Sequence, residues 1–213
     1  MGKTVEQAYK ENPDYQICLG GGSPLTPGKG TEYFLRCIKE IRKRVKNVPI
    51  WVEMVPPAEN RYIQKMIDAG ANSFGFNIEV WNDNLRKKIC PGKFEVSKER
   101  YLEAFRFVTK RLGKNKVGTV LIAGLEPKKS TENGARIMSK MGVRVCILPF
   151  KPWNGSTYEK RDPCNPKDVL WLSKRIAKLM KSNKINPKKN YGCLNCSSCT
   201  VDEDLLKCLS CSP

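Results

Sequence analysis

The sequence predicts an α/β fold in which a parallel sheet is followed by a cysteine-rich tail. Five short apolar segments alternate with five segments that have the apolar spacing of amphipathic helices. The strand-like segments are apolar throughout, which is typical of parallel strands covered on both faces. After residue 182 the composition changes to Asn, Lys, Pro and then Cys, which indicates an appendage. Strands that alternate with crossover helices form either a barrel or a doubly wound sheet.

The first two strand–helix units follow from apolar spacing and from the residues that interrupt it. A strand is predicted over residues 15–19 and ends at the run Gly20-Gly21-Gly22. The next helix, over residues 31–46, has apolar residues every three or four positions. The second strand, residues 49–55, is closed by two prolines, and the second helix, residues 58–69, ends before a glycine.

The third strand is predicted over residues 72–78. A longer excursion over residues 79–95 follows it, broken by a Pro-Gly pair, before a helix over residues 97–112 that begins at a serine and ends before a glycine. The fourth unit is predicted as a strand over residues 116–123 and a helix over residues 131–141. The fifth is a strand over residues 143–150 and a helix over residues 165–181.

The residues that follow each predicted strand are the candidates for a site, because sites in parallel α/β folds form where the C-terminal ends of the strands meet. A glycine run lets a ligand approach the backbone closely, and carboxylates can receive an ammonium group or ribose hydroxyls. Taken singly, the same residues also fit an ordinary turn and acids at helix N-termini. The candidates are Gly20, Gly21, Gly22, Ser23, Glu53, Asn77, Glu79, Gly124, Glu126 and Pro149.

In their order and spacing these segments resemble motifs of the radical S-adenosylmethionine (SAM) superfamily, and of the biotin and lipoyl synthases in particular. Leu19-Gly20-Gly21-Gly22-Ser23-Pro24 resembles the Gly-Gly-Glu motif that contacts the SAM amino group, with Gly or Ser at the acidic position. Asn77-Ile78-Glu79 resembles the Asn-Leu-Glu-Thr segment of those synthases. Residues 117–126 resemble the adenine-holding motif Gly-x-Ile-x-Gly-x-Gly-Glu, and residues 148–157 resemble the sixth-strand motif.

The resemblance implies that residues 1–181 form a partial (β/α) TIM-type barrel with five of the six units of a radical SAM core. It also implies that the ten candidates hold SAM, and that a reduced [4Fe-4S] cluster and SAM supply a 5′-deoxyadenosyl radical for hydrogen abstraction. The expected substrate is a small molecule or a lipoyl-carrier-type group, with sulfur insertion as the first expectation. A reductant such as ferredoxin or flavodoxin would be required. The resemblance identifies no catalytic side chain.

The superfamily binds its catalytic cluster with a Cys-x3-Cys-x2-Cys loop, and no such loop precedes Gly20 in this sequence. We therefore expect that the chain begins inside the enzyme, through truncation, a misplaced start or a split protein whose partner chain supplies the loop. A degenerate, non-catalytic member of the family is the alternative. The chain alone is expected not to cleave SAM.

The tail, residues 182–213, is predicted to bind metal, because clustered cysteines in a reducing compartment more often bind metal than form disulfides. Tight Cys-x2-Cys-x2-Cys spacing favours an iron–sulfur cluster, and an auxiliary cluster is what the resemblance implies. Two Cys-x2-Cys pairs also permit a four-cysteine zinc site. The predicted ligands are Cys193, Cys196, Cys199, Cys208 and Cys211.

The other cysteines are expected to have different roles. Cys18 and Cys146 lie in apolar strand segments and are expected to pack in the core, as buried free cysteines usually do. Cys90 and Cys164 lie in segments expected near the rim and are candidates to reach the site.

Composition excludes several classes of function. The chain has no histidine, which removes Ser-His and Cys-His triads and His-based zinc sites. No signal peptide and no membrane-spanning run are recognised, so the cytoplasm is the expected location. The net charge is +18, but the lysines are spread along the chain, so a solvated basic surface is expected and nucleic acid is not. The rival interpretation is a basic α/β binding module whose zinc-binding tail docks on RNA or an acidic protein.

Overall fold

The computed structural model describes residues 1–189, 191–196 and 199–210. Its centre is a sheet of five parallel strands in the order β1-β2-β3-β4-β5. The strands are β1 (Ile17–Gly20), β2 (Ile50–Glu53), β3 (Ser73–Gly75), β4 (Val117–Ala123) and β5 (Arg144–Pro149). Neighbours in the sheet are thus also consecutive in the sequence, which is the arrangement of a (β/α) barrel, whereas a doubly wound sheet reverses its order.

The sheet is open at both edges in the part of the chain that the structure describes. β1 pairs only with β2, and β5 pairs only with β4. A complete TIM barrel closes a ring of strands, so an open sheet with sequential order is part of such a ring. The predicted fold class, a partial (β/α) TIM-type barrel, is confirmed.

Helices connect the strands and cover one face of the sheet. Those of the barrel are α1 (Gly2–Glu11), α2 (Thr31–Arg44), α3 (Asn60–Asp68), α4 (Asp83–Ile89), α5 (Pro91–Phe94), α6 (Lys98–Leu112), α7 (Lys128–Lys140) and α8 (Pro166–Ser182). The five predicted helices correspond to α2, α3, α6, α7 and α8, with ends shifted by a few residues. The sequence did not predict α1, which is largely polar, or α4 and α5, which are short. No described helix combines the length and the apolar character needed to cross a membrane.

The two faces of the sheet differ, because alternate residues of a strand point to opposite sides. Ile17 and Leu19 of β1 pack with the helices in the main core. Cys18, between them, points to the other side, which is the interior of a closed barrel and is called the inner face below. A second, small apolar cluster lies on the inner face and consists of Trp51, Cys146, Val120 and Tyr191.

The segment after α8 folds back onto the barrel. It contains a 3-10 helix (Pro187–Lys189), α9 (Cys193–Cys196) and α10 (Asp202–Ser210), and α10 packs against α8. Ile185 is buried, and the backbone N–H of Asn186 donates to Oδ1 of Asn115 at 2.8 Å. The end of α8 coincides with the predicted start of the tail, but the division into two domains at that point stays a prediction.

Candidate functional site

The C-terminal ends of β1, β2 and β3 and helix α5 surround a cleft, called the rim cleft below. It consists of two adjoining cavities of about 170 Å³ and about 500 Å³, whose walls share Ser23, Val55 and Lys93. The smaller cavity is also lined by Gly20, Gly21, Glu53, Met54 and Asn77, and the larger by Leu25, Lys29, Glu79, Ile89, Cys90, Pro91, Gly92 and Glu95. The larger cavity falls in the range of roughly 300–1,000 Å³ that is typical of small-molecule sites.

A row of polar groups crosses the floor of the smaller cavity. The Glu53 carboxylate, at the end of β2, accepts a hydrogen bond from Nδ2 of Asn77 at 2.9 Å. Its other oxygen accepts from Nε1 of Trp51 at 3.4 Å. Glu53 and Asn77 meet because parallel strands bring their C-terminal ends to one edge of the sheet.

Lys93 joins this row to Glu79. Its Nζ donates to the backbone carbonyl of Asn77 at 3.1 Å and forms an ion pair with the Glu79 carboxylate. The two side chains are 28% and 26% exposed. Both side chains are thus partly open to the cleft, where a ligand can exchange with either partner of the pair.

Glu79 has an uncommon backbone conformation. Its φ of +66° lies in the left-handed region, which non-glycine residues rarely adopt. Hydrogen bonds to β4 hold it there: the Glu79 N–H donates to the Val120 carbonyl, and the Ile122 N–H donates to the Glu79 carbonyl, both at 2.9 Å. Such conformations cost about 1–3 kcal/mol and cluster at functional sites. The geometry turns the Glu79 carboxylate towards the rim cleft.

Cys90 lies on the wall of the larger cavity and is within reach of Glu79. The distance from Cys90 Sγ to Oε2 of Glu79 is 3.8 Å, a weak hydrogen bond from the thiol. Burial, followed by the negative charge of Glu79, raises the pKa of the Cys90 thiol to about 11. The thiol is therefore protonated at neutral pH. The structure places Cys90 on the wall of the rim cleft, and its part in a functional site stays a prediction.

The glycine run after β1 leaves open backbone beside the rim cleft. A Cβ atom at Gly20 or Gly22 would meet nothing within 4 Å, and one at Gly21 would only touch Phe34 at 3.8 Å. None of the three has a positive φ. Neither crowding by the protein nor turn conformation requires glycine here, which leaves room for a ligand to approach the backbone. Ser23 ties this loop to the end of β2, since its hydroxyl accepts from the Val55 N–H at 3.3 Å.

Gly124 and Pro149 stand at the ends of β4 and β5, outside the two cavities of the rim cleft. Gly124 has a φ of +94°, and a Cβ there would lie 2.9 Å from Cβ of Cys164. Arg161 donates to the Gly124 carbonyl at 2.6 Å, so the loop after β5 lies over the end of β4. Pro149 is paired in register with Ala123. Cys164 therefore lies at the rim, as predicted, but away from Cys90.

Glu126 is used inside the protein. The residue is 7% exposed, and its carboxylate accepts from the backbone N–H groups of Trp81, at 2.9 Å, and Asn82, at 2.8 Å. The hydroxyls of Ser130 and Thr131 donate to it at 2.7 Å and 3.3 Å. Both oxygens are thus occupied by the loop that follows Glu79 and by the first turn of α7. The structure places Glu126 in a supporting position behind Glu79 rather than in the cleft.

The structure thus brings six of the ten candidates together around the rim cleft, with Gly22 beside them. These six are Gly20, Gly21, Ser23, Glu53, Asn77 and Glu79. Lys93 is not among the residues predicted from the sequence, although a lysine directly after Cys90-Pro91-Gly92 in the long excursion indicates a basic group near the rim.

Cys18 corrects one prediction, because its side chain is exposed whereas Cys146 is buried as expected. An apolar strand segment does not distinguish the helix-covered face from the inner face. Cys18 lies on the inner face near the open edge of the sheet, where no strand beyond β1 covers it among the described residues.

The tail cysteines are placed in part. Cys193 begins α9, and Cys199 and Cys208 are exposed. The side chain of Cys196 and the whole of Cys211 lie outside the described residues. Within residues 1–189, 191–196 and 199–210, no three His, Cys, Asp or Glu side chains form a group that could hold a metal ion. The donor set itself, thiols in Cys-x2-Cys spacing, fits zinc or an iron–sulfur cluster, and metal binding by these residues stays a prediction.

The chain is similar to known proteins over its barrel. A family model described as the Radical SAM superfamily matches residues 2–130, which is more than half of the 213 residues. The bacteriochlorophyllide c C-7(1)-hydroxylase of Chlorobaculum limnaeum is 29% identical over 132 residues, which are 61% of this chain and 33% of that protein. The similarity therefore spans about a third of the length of this relative.

Proposed function

Because this chain belongs to the radical SAM superfamily, we propose that its rim cleft binds SAM for an enzyme that abstracts hydrogen from an organic substrate. When bound, SAM and a reduced [4Fe-4S] cluster supply the 5′-deoxyadenosyl radical for this abstraction. The residues of the chain orient SAM and limit the access of water. The observation that carries the proposal is the row Glu53–Asn77–Glu79 at adjoining strand ends, beside open glycine backbone.

The charges and donors of the rim cleft fit SAM. Glu53 and Glu79 place negative charge on both sides of Asn77, which favours the ammonium and sulfonium groups of SAM. Carboxylate and amide oxygens also accept hydrogen bonds from ribose hydroxyls. Lys93 can exchange its partner Glu79 for the SAM carboxylate, because the existing pair is partly exposed. We propose that the side of the rim formed by β4 and β5 is shaped by Gly124, Glu126 and Pro149.

The catalytic cluster is not assigned to residues of this chain. The 213 residues contain no Cys-x3-Cys-x2-Cys sequence. We propose that SAM cleavage needs thiolates in addition to these residues, supplied by further sequence or by a partner chain, and that these residues alone do not cleave SAM. The electron would come from a carrier such as ferredoxin or flavodoxin.

The proposed reaction class is attack on an unactivated C–H bond. The relative from Chlorobaculum limnaeum is named a hydroxylase of bacteriochlorophyllide c at C-7(1). For this chain, hydroxylation and sulfur insertion would both begin with the same step, abstraction of a hydrogen atom. We propose hydrogen abstraction for this chain, followed by either hydroxylation or sulfur insertion. The proposed substrate is a small molecule or a lipoyl-carrier-type group. The five tail cysteines are proposed to hold an auxiliary iron–sulfur cluster, with zinc as the alternative.

The test is calorimetric titration of the chain with SAM. Glu53→Gln keeps the size of the side chain but removes its charge, and Glu40→Gln is the matched control because Glu40 pairs with Lys43 on the exposed side of α2. A charge-assisted hydrogen bond contributes about 1.5–3 kcal/mol, so Glu53→Gln should weaken SAM binding by roughly 10- to 100-fold. Glu40→Gln should bind like the wild type. Equal affinity of the two variants, or no SAM binding by the wild type, would reject the proposal.

A further inference from the structure

The start of the cysteine tail is seated on the inner face of the barrel. The ammonium group of Lys116 lies 4.0 Å from the centre of the Tyr191 ring, and Tyr191 packs with Trp51 and Cys146. The Gly192 N–H donates to Oε1 of Gln16 at 2.9 Å, directly before β1. Contacts on both sides therefore fix where the chain enters α9.

Gly192 shows how close this approach is. Its φ of +66° lies in the left-handed region, and a Cβ atom there would lie 2.3 Å from Cγ of Trp51. Any other residue would push the segment off the inner face. The next residue, Cys193, is the first cysteine of the tail.

The contacts of Gly192 bring this first tail cysteine close to Cys18. Gly192 lies against Trp51, which is paired in register with Cys18, and donates to Gln16, two residues before Cys18. Burial, followed by the charge of Glu53, raises the pKa of the Cys18 thiol, and a hydrogen bond from the Cys193 backbone offsets part of this rise. Cys18 is exposed on the inner face and is not part of either apolar cluster. A thiol of the barrel and a cysteine of the tail thus occupy one small region, although they are 175 positions apart in the sequence.

We propose that Cys18 and Cys193 bind the same metal ion, so that the metal centre of the tail is anchored to the barrel and is not a free-standing knuckle. This inference rests on the proposed metal binding by the tail. Each thiol that joins the ion releases its proton to solvent and binds as thiolate, and no electron is transferred. Thiolate pairs of this kind suit zinc or the iron of an iron–sulfur cluster.

The anchor would place the metal centre close to the rim cleft. Cys18 and Gly20 are two residues apart in β1, which is about 7 Å along the strand. Cys18 is also paired in register with Trp51, and Gly20 with Glu53. The metal centre would therefore face the same interior space as the proposed SAM site, where it could contact a substrate.

The test is site-resolved thiol labelling of the full chain under anaerobic, reducing conditions. The protein is loaded with Zn²⁺ in one series and with Fe²⁺ and sulfide in another, then labelled with N-ethylmaleimide and mapped by mass spectrometry. We expect Cys18 and Cys193 to label at least roughly tenfold more slowly with metal than with chelator, while Cys164 labels equally in both. Equal labelling of Cys18 with and without bound metal would overturn the inference.

Measuring the affinity for Zn²⁺ distinguishes a Cys18 thiol that binds the metal from one that the tail merely shields from the label. Loss of a residue that only supports a metal ligand already weakens metal binding roughly tenfold, so Cys18→Ser should weaken Zn²⁺ binding by at least that factor. Cys164→Ser should leave Zn²⁺ binding unchanged. Full affinity in Cys18→Ser, or a Cys18–Cys193 disulfide that survives reduction, would also overturn the inference. Metal bound by the tail with Cys18 still reactive rejects this inference alone, whereas no metal binding at all rejects the proposed tail site as well.

Discussion

Replacing Glu126 by Gln tests whether this residue supports the rim or contacts the cofactor. In the wild type, one carboxylate oxygen accepts from the Trp81 N–H and the other from the Asn82 N–H. A glutamine amide has a single oxygen, so one of these two backbone donors would face its NH2 group. The substitution therefore leaves a donor without an acceptor next to Glu79 while it barely changes the volume of the side chain.

The expected magnitude follows from that lost hydrogen bond. A buried donor left unsatisfied costs about 1–3 kcal/mol, and the loss is in the upper part of this range when the acceptor was charged. We expect the free energy of unfolding, measured by urea titration, to fall by about 1–3 kcal/mol. SAM affinity should fall as a consequence, because the loop over residues 79–82 presents Glu79 to the rim cleft.

Glu132→Gln is the matched control for this measurement. Glu132 forms ion pairs with Lys129 and Arg175 on the surface of α7 and α8. Partly exposed pairs contribute about 0–1 kcal/mol, so the control should lose at most that amount. If Glu126→Gln unfolds like the wild type but binds SAM more weakly, the supporting role is refuted and a direct contact with SAM is indicated.

Two further predictions concern the rim cleft and the seat of the tail. Because burial and Glu79 hold the pKa of the Cys90 thiol at about 11, labelling of Cys90 by iodoacetamide should rise with pH up to that value. Glu79→Gln should shift this rise to lower pH, and an unshifted curve would contradict the assigned cause. Gly192→Ala, with its Cβ 2.3 Å from Cγ of Trp51, should release the tail and speed its cleavage by protease, whereas Gly92→Ala, which meets nothing within 4 Å, should not. Unchanged cleavage of the tail in Gly192→Ala would contradict the seating of α9.

The sequence predicts the order of strands and helices well because each apolar strand is buried and each crossover helix has one apolar face. It predicts β3 less well, since the apolar segment extends over residues 72–78 but the strand covers only Ser73–Gly75. Phe76 and Ile78 are fully buried without being in the strand. The chain therefore stays buried beyond the point where the hydrogen bonds of the strand end. The backbone rejoins the sheet at Glu79, which forms a bridge with Leu121.

The candidate site is predictable where strand ends place it. Glu53 ends β2, Asn77 and Glu79 follow the neighbouring strand β3, and parallel pairing brings these positions together. Lys93 depends instead on how the irregular segment after β3 packs. That segment is held by the buried Arg86, which donates to the Val96 carbonyl at 3.0 Å and to the Asp83 carboxylate at 2.9 Å. No local pattern in the sequence specifies these contacts.

The packing on the inner face is likewise not predictable from local sequence patterns. An open sheet leaves this face uncovered by strands, yet Trp51 there is only 1% exposed. Its cover is Tyr191 and Gly192 from the far end of the chain, and the glycine is needed because any Cβ would collide with Trp51. A tail that carried an independent metal knuckle would not need so close a fit to the barrel. The fit therefore favours a tail whose first cysteine works together with the inner face, as the proposed metal site at Cys18 and Cys193 requires.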